Sequence, residues 1–101
     1  MVDELIWSPE SEEDFLNILN YLISDWNVKI ASDFVKDIEY HIEKIHNNPQ
    51  SYPIIYKQEQ VRKCVVTKHN SLVYNLLDNK IFILRVFDTR QNPNKLKFPK
   101  Q

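Results

Sequence analysis

Hydrophobic residues recur along this chain in two rhythms. In the first half, Phe15, Ile18, Leu19, Leu22 and Trp26 fall three or four positions apart, and after Asn27 the spacing returns at Ala31, Phe34, Val35, Ile38, Ile42 and Ile45. That period is the apolar stripe of an α-helix. Ser8-Pro9 supplies a start signal, because serine caps free amides and proline at the first helical position sacrifices no hydrogen bond. Glu10, Glu12, Glu13 and Asp14 then place negative charge at the positive end of the helix dipole. The spacing predicts a first helix from Pro9 to Asp25 and a second that Asn47-Asn48-Pro49 stops, the two forming a hairpin.

The second half alternates instead. Val61 to Thr67, Leu72 to Leu77 and Ile81 to Phe87 read as three strands joined by short turns, an antiparallel meander. The last run is apolar on both alternating faces, with Ile81, Ile83 and Phe87 on one and Phe82, Leu84 and Val86 on the other, as an interior strand requires. Val2 to Trp7 is the extended segment left to lie beside it, and the count of chain reversals makes that strand antiparallel to the last. The predicted fold is α+β in two layers: an N-terminal strand, an α-helical hairpin and a three-strand antiparallel meander. The sheet order is 1-4-3-2 counted along the chain, and the hairpin covers one face.

With 101 residues, 43% hydrophobic and 27% charged, the sequence reads as one domain over residues 1–101, large enough to bury ~60 to 70% of the unfolded surface. A two-domain enzyme with its own cofactor fold is excluded. The longest apolar run, Ile81-Phe82-Ile83-Leu84, falls well short of the ~20 residues of a membrane helix. The N-terminus also lacks a basic-then-apolar leader, so the expectation is a cytoplasmic protein with no membrane contact. A single cysteine, Cys64, suits a reducing compartment. Glycine is absent, so positive φ should fall to Asn, Asp or His, and Asn27, Asn47-Asn48, His69-Asn70 and Asp78-Asn79 read as the corners. Without glycine nothing cradles a nucleotide phosphate, and no cofactor is expected. No metal is expected either, since His41 and His46 lie five apart, off a common helix face, and His69 is distant.

Charge is divided between the halves. Residues 1–50 hold three lysines against eleven acids, a net of −8, while residues 51–101 hold ten bases against three acids, a net of +7. Either the basic half meets an anionic partner or the two halves attract one another within the fold. The cations of interest are Arg62, Lys63, Lys68, Arg85 and Arg90 on or near strands, with His69 in a turn, Tyr74 near the centre of the sheet, and Lys95, Lys97 and Lys100 in a tail of the kind usually solvated. Arg85 interrupts an apolar strand on the face of Ile81, Ile83 and Phe87. It either lines an open, partly apolar groove or pairs with Asp88 or an acid of the first half.

These pieces, in this order, resemble the RelE/ParE toxin superfamily of bacterial type II toxin–antitoxin systems. The resemblance rests on a strand ending Trp7-Ser8-Pro9, two amphipathic helices, a Pro49 to Pro53 loop, Val61-Arg62-Lys63, Leu72-Val73-Tyr74, and Ile83 through Arg90-Gln91-Asn92-Pro93. It implies a small toxin neutralised by a cognate antitoxin and acting in one of two ways. RelE-like members are metal-independent endoribonucleases that cut messenger RNA on the ribosome; here Arg62 and Arg90 would be catalytic. ParE-like members poison DNA gyrase and are not enzymes. The resemblance further implies that Lys63, Lys68, His69, Tyr74, Ile83, Arg85 and Phe87 bind target or antitoxin. Where ribonuclease members carry a His-Tyr pair after the last strand, this chain has Asp88-Thr89-Arg90, and arginine shuttles no proton near neutral pH. That departure favours the ParE branch. Outside the family, the same groove would suit a non-toxic peptide-binding module.

Overall fold

In the computed structural model, which describes residues 4–90, the chain runs β1 (Glu4–Trp7), α1 (Pro9–Asp25), α2 (Val28–Asn47), β2 (Ile54–Tyr56), β3 (Val61–Val65), β4 (Asn70–Leu77) and β5 (Lys80–Asp88). Both helices begin as their sequences dictate. The Ser8 hydroxyl accepts from the Ser11 amide at 3.0 Å, and the Asn27 side chain accepts from the Ile30 amide at 2.8 Å. Asn27 is therefore a cap in extended backbone, not a left-handed corner. Asp78 and Asn79 do take left-handed φ, 52° and 62°, as a two-residue hairpin turn between β4 and β5 demands. Among the described residues the third such position is Gln60, φ 54°, which composition alone did not single out.

The sheet is five-stranded in the order β1-β5-β4-β3-β2. Two of its features depart from expectation, and they share one cause. Ile54–Tyr56 forms an extra edge strand, antiparallel to β3, within what read as a loop. That strand adds one chain reversal, so β1 lies parallel to β5, with Leu5 beside Ile81 and Trp7 beside Ile83. A third departure, with a cause of its own, lies within β5. Tyr74 pairs with Ile83 but Val73 pairs with Arg85, leaving Leu84 as a bulge. The bulge resets the alternation: Ile81, Ile83 and Val86 join Phe34, Ile38 and Leu22 in the core beneath the helices, whereas Phe82, Arg85 and Phe87 turn to the opposite face. Strict alternation had put Ile81, Ile83, Arg85 and Phe87 together. Ser8 ties the end of β1 into this arrangement, its amide donating to the Ile83 carbonyl at 2.9 Å and its hydroxyl to that of Leu84 at 3.1 Å. Among the described residues, no helix is long and apolar enough to cross a membrane.

Candidate functional site

Each of the three arginines singled out in the sequence reaches an internal acceptor. Arg85 sits where β1 has ended and β5 has a bare edge. Asp14 of α1 reaches that edge, accepting from Arg85 Nε at 2.7 Å and Nη2 at 3.0 Å and from the Val86 amide at 3.0 Å. The carboxylate thus caps a backbone donor freed at the bulge and neutralises the neighbouring guanidinium. Hydrogen bonding to Asp14 raises the pKa of Arg85 above its ordinary value, against partial burial. The Arg85 guanidinium lies over the Phe87 ring, 5.4 Å from its centroid. Of the two readings of Arg85, the ion pair with an acid of the first half is the observed one.

Arg90 is held more tightly. Asp88, whose side chain is fully buried, accepts from the Arg90 amide at 2.7 Å, from Arg90 Nε at 3.2 Å and from Nη2 at 2.8 Å. A fourth bond comes from Asn70 Nδ2 at 2.6 Å. Burial opposes ionisation of Asp88, but the bonds from Arg90 and Asn70 outweigh it and hold the carboxyl below its ordinary value. Tyr21 Oη donates to the Arg90 carbonyl at 2.7 Å, Trp26 Nε1 donates to Tyr21 Oη at 3.2 Å, and the Arg90 guanidinium lies 5.7 Å from the Trp26 ring centroid. The end of β5 is thereby pinned to the end of α1.

Arg62 faces the helix side of β3, where Nη1 donates to the Tyr52 carbonyl at 2.6 Å and to that of Gln50 at 3.2 Å. Its cross-strand neighbour Tyr74 is fully buried and donates to the Pro49 carbonyl at 2.6 Å; burial pushes its hydroxyl well above the ordinary tyrosine range. Together they fasten the loop between α2 and β2. Ile83 is fully buried in the core, so the groove expected around it does not form. Lys63 lies on the face away from the helices, opposite Val73, which is the face of Arg85 and Phe87. Lys68 and His69 sit at the β3–β4 turn instead, so the sequence-predicted residues divide among three places.

The pairing of β4 with β5 creates one juxtaposition that the sequence did not reveal. The His69 carbonyl accepts from the Thr89 amide at 2.9 Å, and His69 Nδ1 lies 3.3 Å from Thr89 Oγ1. An imidazole 20 positions upstream thus stands beside the end of the last strand. It borders a cavity of about 270 Å³ lined also by Asp33, Asp37, Lys68 and Arg90. An Asn or His at a turn carries no signal of this, because the neighbour is set by strand register. Among the described residues, no group of three or more His, Cys, Asp or Glu could hold a metal ion.

The sequence from residue 5 to residue 93 matches the family described as the ParE toxin of type II toxin–antitoxin systems, parDE. No curated protein matches. Solved structures share the fold. A chain of the chromosomal ParDE system from P. aeruginosa is similar at 19% identity and TM-score 0.70, over 87% of this chain and 96% of that one. A YoeB/ParE toxin from Agrobacterium tumefaciens is similar at 14% identity and TM-score 0.61, over 85% and 98%. A chain of the E. coli DinJ-YafQ complex is similar at 16% identity and TM-score 0.57, over 91% and 98%.

Proposed function

The chain belongs to the ParE toxin family of type II toxin–antitoxin systems, and we propose that it inhibits growth through DNA gyrase and is neutralised by a cognate antitoxin. One observation carries the choice of target: Arg62, Arg85 and Arg90 are each engaged with a carbonyl or carboxylate of the same chain. Metal-free cleavage of RNA needs cations already aimed at the scissile phosphate. Arginines committed to their own fold would have to break buried or half-buried bonds to serve there, whereas a toxin acting on a protein target needs no such reserve. For the antitoxin, the face bearing Lys63 and Phe87, on which Arg85 is already paired with Asp14, suits a segment with an acidic residue beside apolar anchors.

The ribonuclease reading draws support from His69, an imidazole in the β3–β4 turn beside the end of the last strand and adjacent to Lys68, a residue type that serves in general acid–base catalysis. The two activities separate in one experiment. After brief induction without antitoxin, RNA 5′ ends are sequenced, and the purified protein is assayed for gyrase-dependent DNA cleavage. The expected outcome is intact messenger RNA with DNA breaks. Codon-phased cuts that vanish in His69→Gln, with gyrase unaffected, would transfer the protein to the ribonuclease branch. Unimpaired growth at good levels of folded protein would leave only a peptide-binding module.

A further inference from the structure

Helix α1 carries two apolar stripes. Ile18 and Leu22 are buried in the core, while Leu16 and Ile23 stand about 100–160° around the helix from them and are 55% and 47% exposed. Half-buried Leu19 lies between the two stripes. On α2 the positions Val28, Val35 and Ile42 recur every seven residues and so share one side of that helix. Val28 is 69% exposed, and Ile42 lines, with Leu16, a cleft of about 550 Å³ between the helices. The two rows make a seam along the outer side of the hairpin. Packing on the sheet needs one buried stripe per helix, so a second one left in water calls for a second cover. From Phe15 to Ser24, α1 also has no charged residue, the composition of an interface core.

The helix ends identify the cover. α1 has Glu10 and Glu12 in its first turn and no base in its last, whereas α2 has Lys44 and His46 in its last turn and no acid in its first. A two-fold axis parallel to the helices lays α1 of each copy antiparallel on α2 of the other, so acidic start meets basic end twice and the helix dipoles oppose. The seam becomes the middle of a four-helix bundle, with the seven-residue spacing supplying its layers. An unrelated helix would match one row; a copy matches both by symmetry. With α1 about 25 Å long and each helix about 10 Å across, the footprint is about 500 Å² on each copy. The total of about 1,000 Å² lies at the lower bound of specific interfaces, so the association is weak.

We propose that the α1–α2 seam packs on the same seam of a second copy, in a weak two-fold dimer that buries Leu16, Leu19, Ile23 and Val35. Sedimentation velocity of the purified full-length protein tests this. The expected result is a reversible monomer–dimer equilibrium with Kd on the order of 10–100 µM. Leu16→Lys and Ile23→Lys, at exposed positions that leave the core in place, weaken association about tenfold or more. Lys44→Glu, exposed on the last turn of α2, also weakens it, and adding Glu12→Lys restores it; this pair keeps the test open if a seam variant loses its fold by circular dichroism. Val65→Lys, on the far face of the sheet and 61% exposed, leaves the equilibrium unchanged. A monomer at every concentration up to about 300 µM, well above that Kd, would overturn the proposal. A dimer indifferent to the seam variants and to Lys44→Glu would do the same, as would one that Val65→Lys dissolves.

Discussion

Asp88→Asn tests the tether at the end of β5 most sharply. The substitution keeps the shape of a side chain with no exposed surface but removes the charge and turns one acceptor into a donor. Four bonds converge on Asp88, three from Arg90 and one from Asn70, and a single amide oxygen satisfies at most two. The Arg90 guanidinium, 14% exposed, is left without its counter-charge. Breaking a buried pair on one side costs about 3–5 kcal/mol, and the lower end applies because Arg90 keeps some water and the Trp26 ring. A loss of about 3 kcal/mol is a large part of the ~5–15 kcal/mol that holds a domain folded, and it lowers Tm by about 12–24 °C.

Urea unfolding of wild type, Asp88→Asn, Arg90→Met and the double variant measures this, with unchanged m-values as the control. A tether of this kind makes the double variant cost far less than the sum of the singles. That expectation is refuted if the two effects add within about 0.5 kcal/mol or if Asp88→Asn alone costs less than about 1 kcal/mol. The pH dependence supplies a second check. Since the folded carboxyl titrates below its unfolded value, its contribution is complete above the unfolded pKa, near 3.9, and is lost as pH falls through the folded one. Wild type therefore loses stability more steeply on acidification than Asp88→Asn does.

Asp14→Asn strips Arg85 of its partner and weakens the cap on the Val86 amide; with the Arg85 side chain 33% exposed, water compensates in part, and the expected cost is about 1–3 kcal/mol. Faster exchange of the Val86 amide than in wild type checks the cap, and unchanged exchange would refute it. Gln60→Gly relieves left-handed backbone at φ 54°, a strain of about 1–2 kcal/mol against about 0.4–1 kcal/mol of added chain entropy on unfolding, for a net gain near 0.5 kcal/mol by urea melts. A loss of stability would show that the Gln60 side chain contributes more than its backbone costs.

The sequence by itself determined what acts over three or four residues. Ser8-Pro9 and Asn27 start the helices, Ile18, Leu22, Phe34 and Ile38 mark the buried stripes, and Asp78-Asn79 makes the hairpin, because caps, periodicity and turn chemistry are local forces that any chain context leaves in place. What only the tertiary structure decided are quantities without a local signature. The three-residue strand Ile54–Tyr56 is too short to alternate, yet pairing with β3 makes it a strand and its one added reversal turns β1 parallel to β5. The bulge at Leu84 moves Arg85 and Phe87 off the face of Ile81 and Ile83, so a period-two reading fails at one residue and misassigns every side chain beyond it. Ion-pair partners are settled the same way: Arg85 takes an acid 71 positions away rather than Asp88, three residues along. Asp88 lies beneath the sheet on the core side, with Arg90, while Arg85 points to the other face at the bare edge that α1 approaches. Charge count in the sequence named the cations, and only the packing of α1 against β5 decided which of them were already spent within the fold.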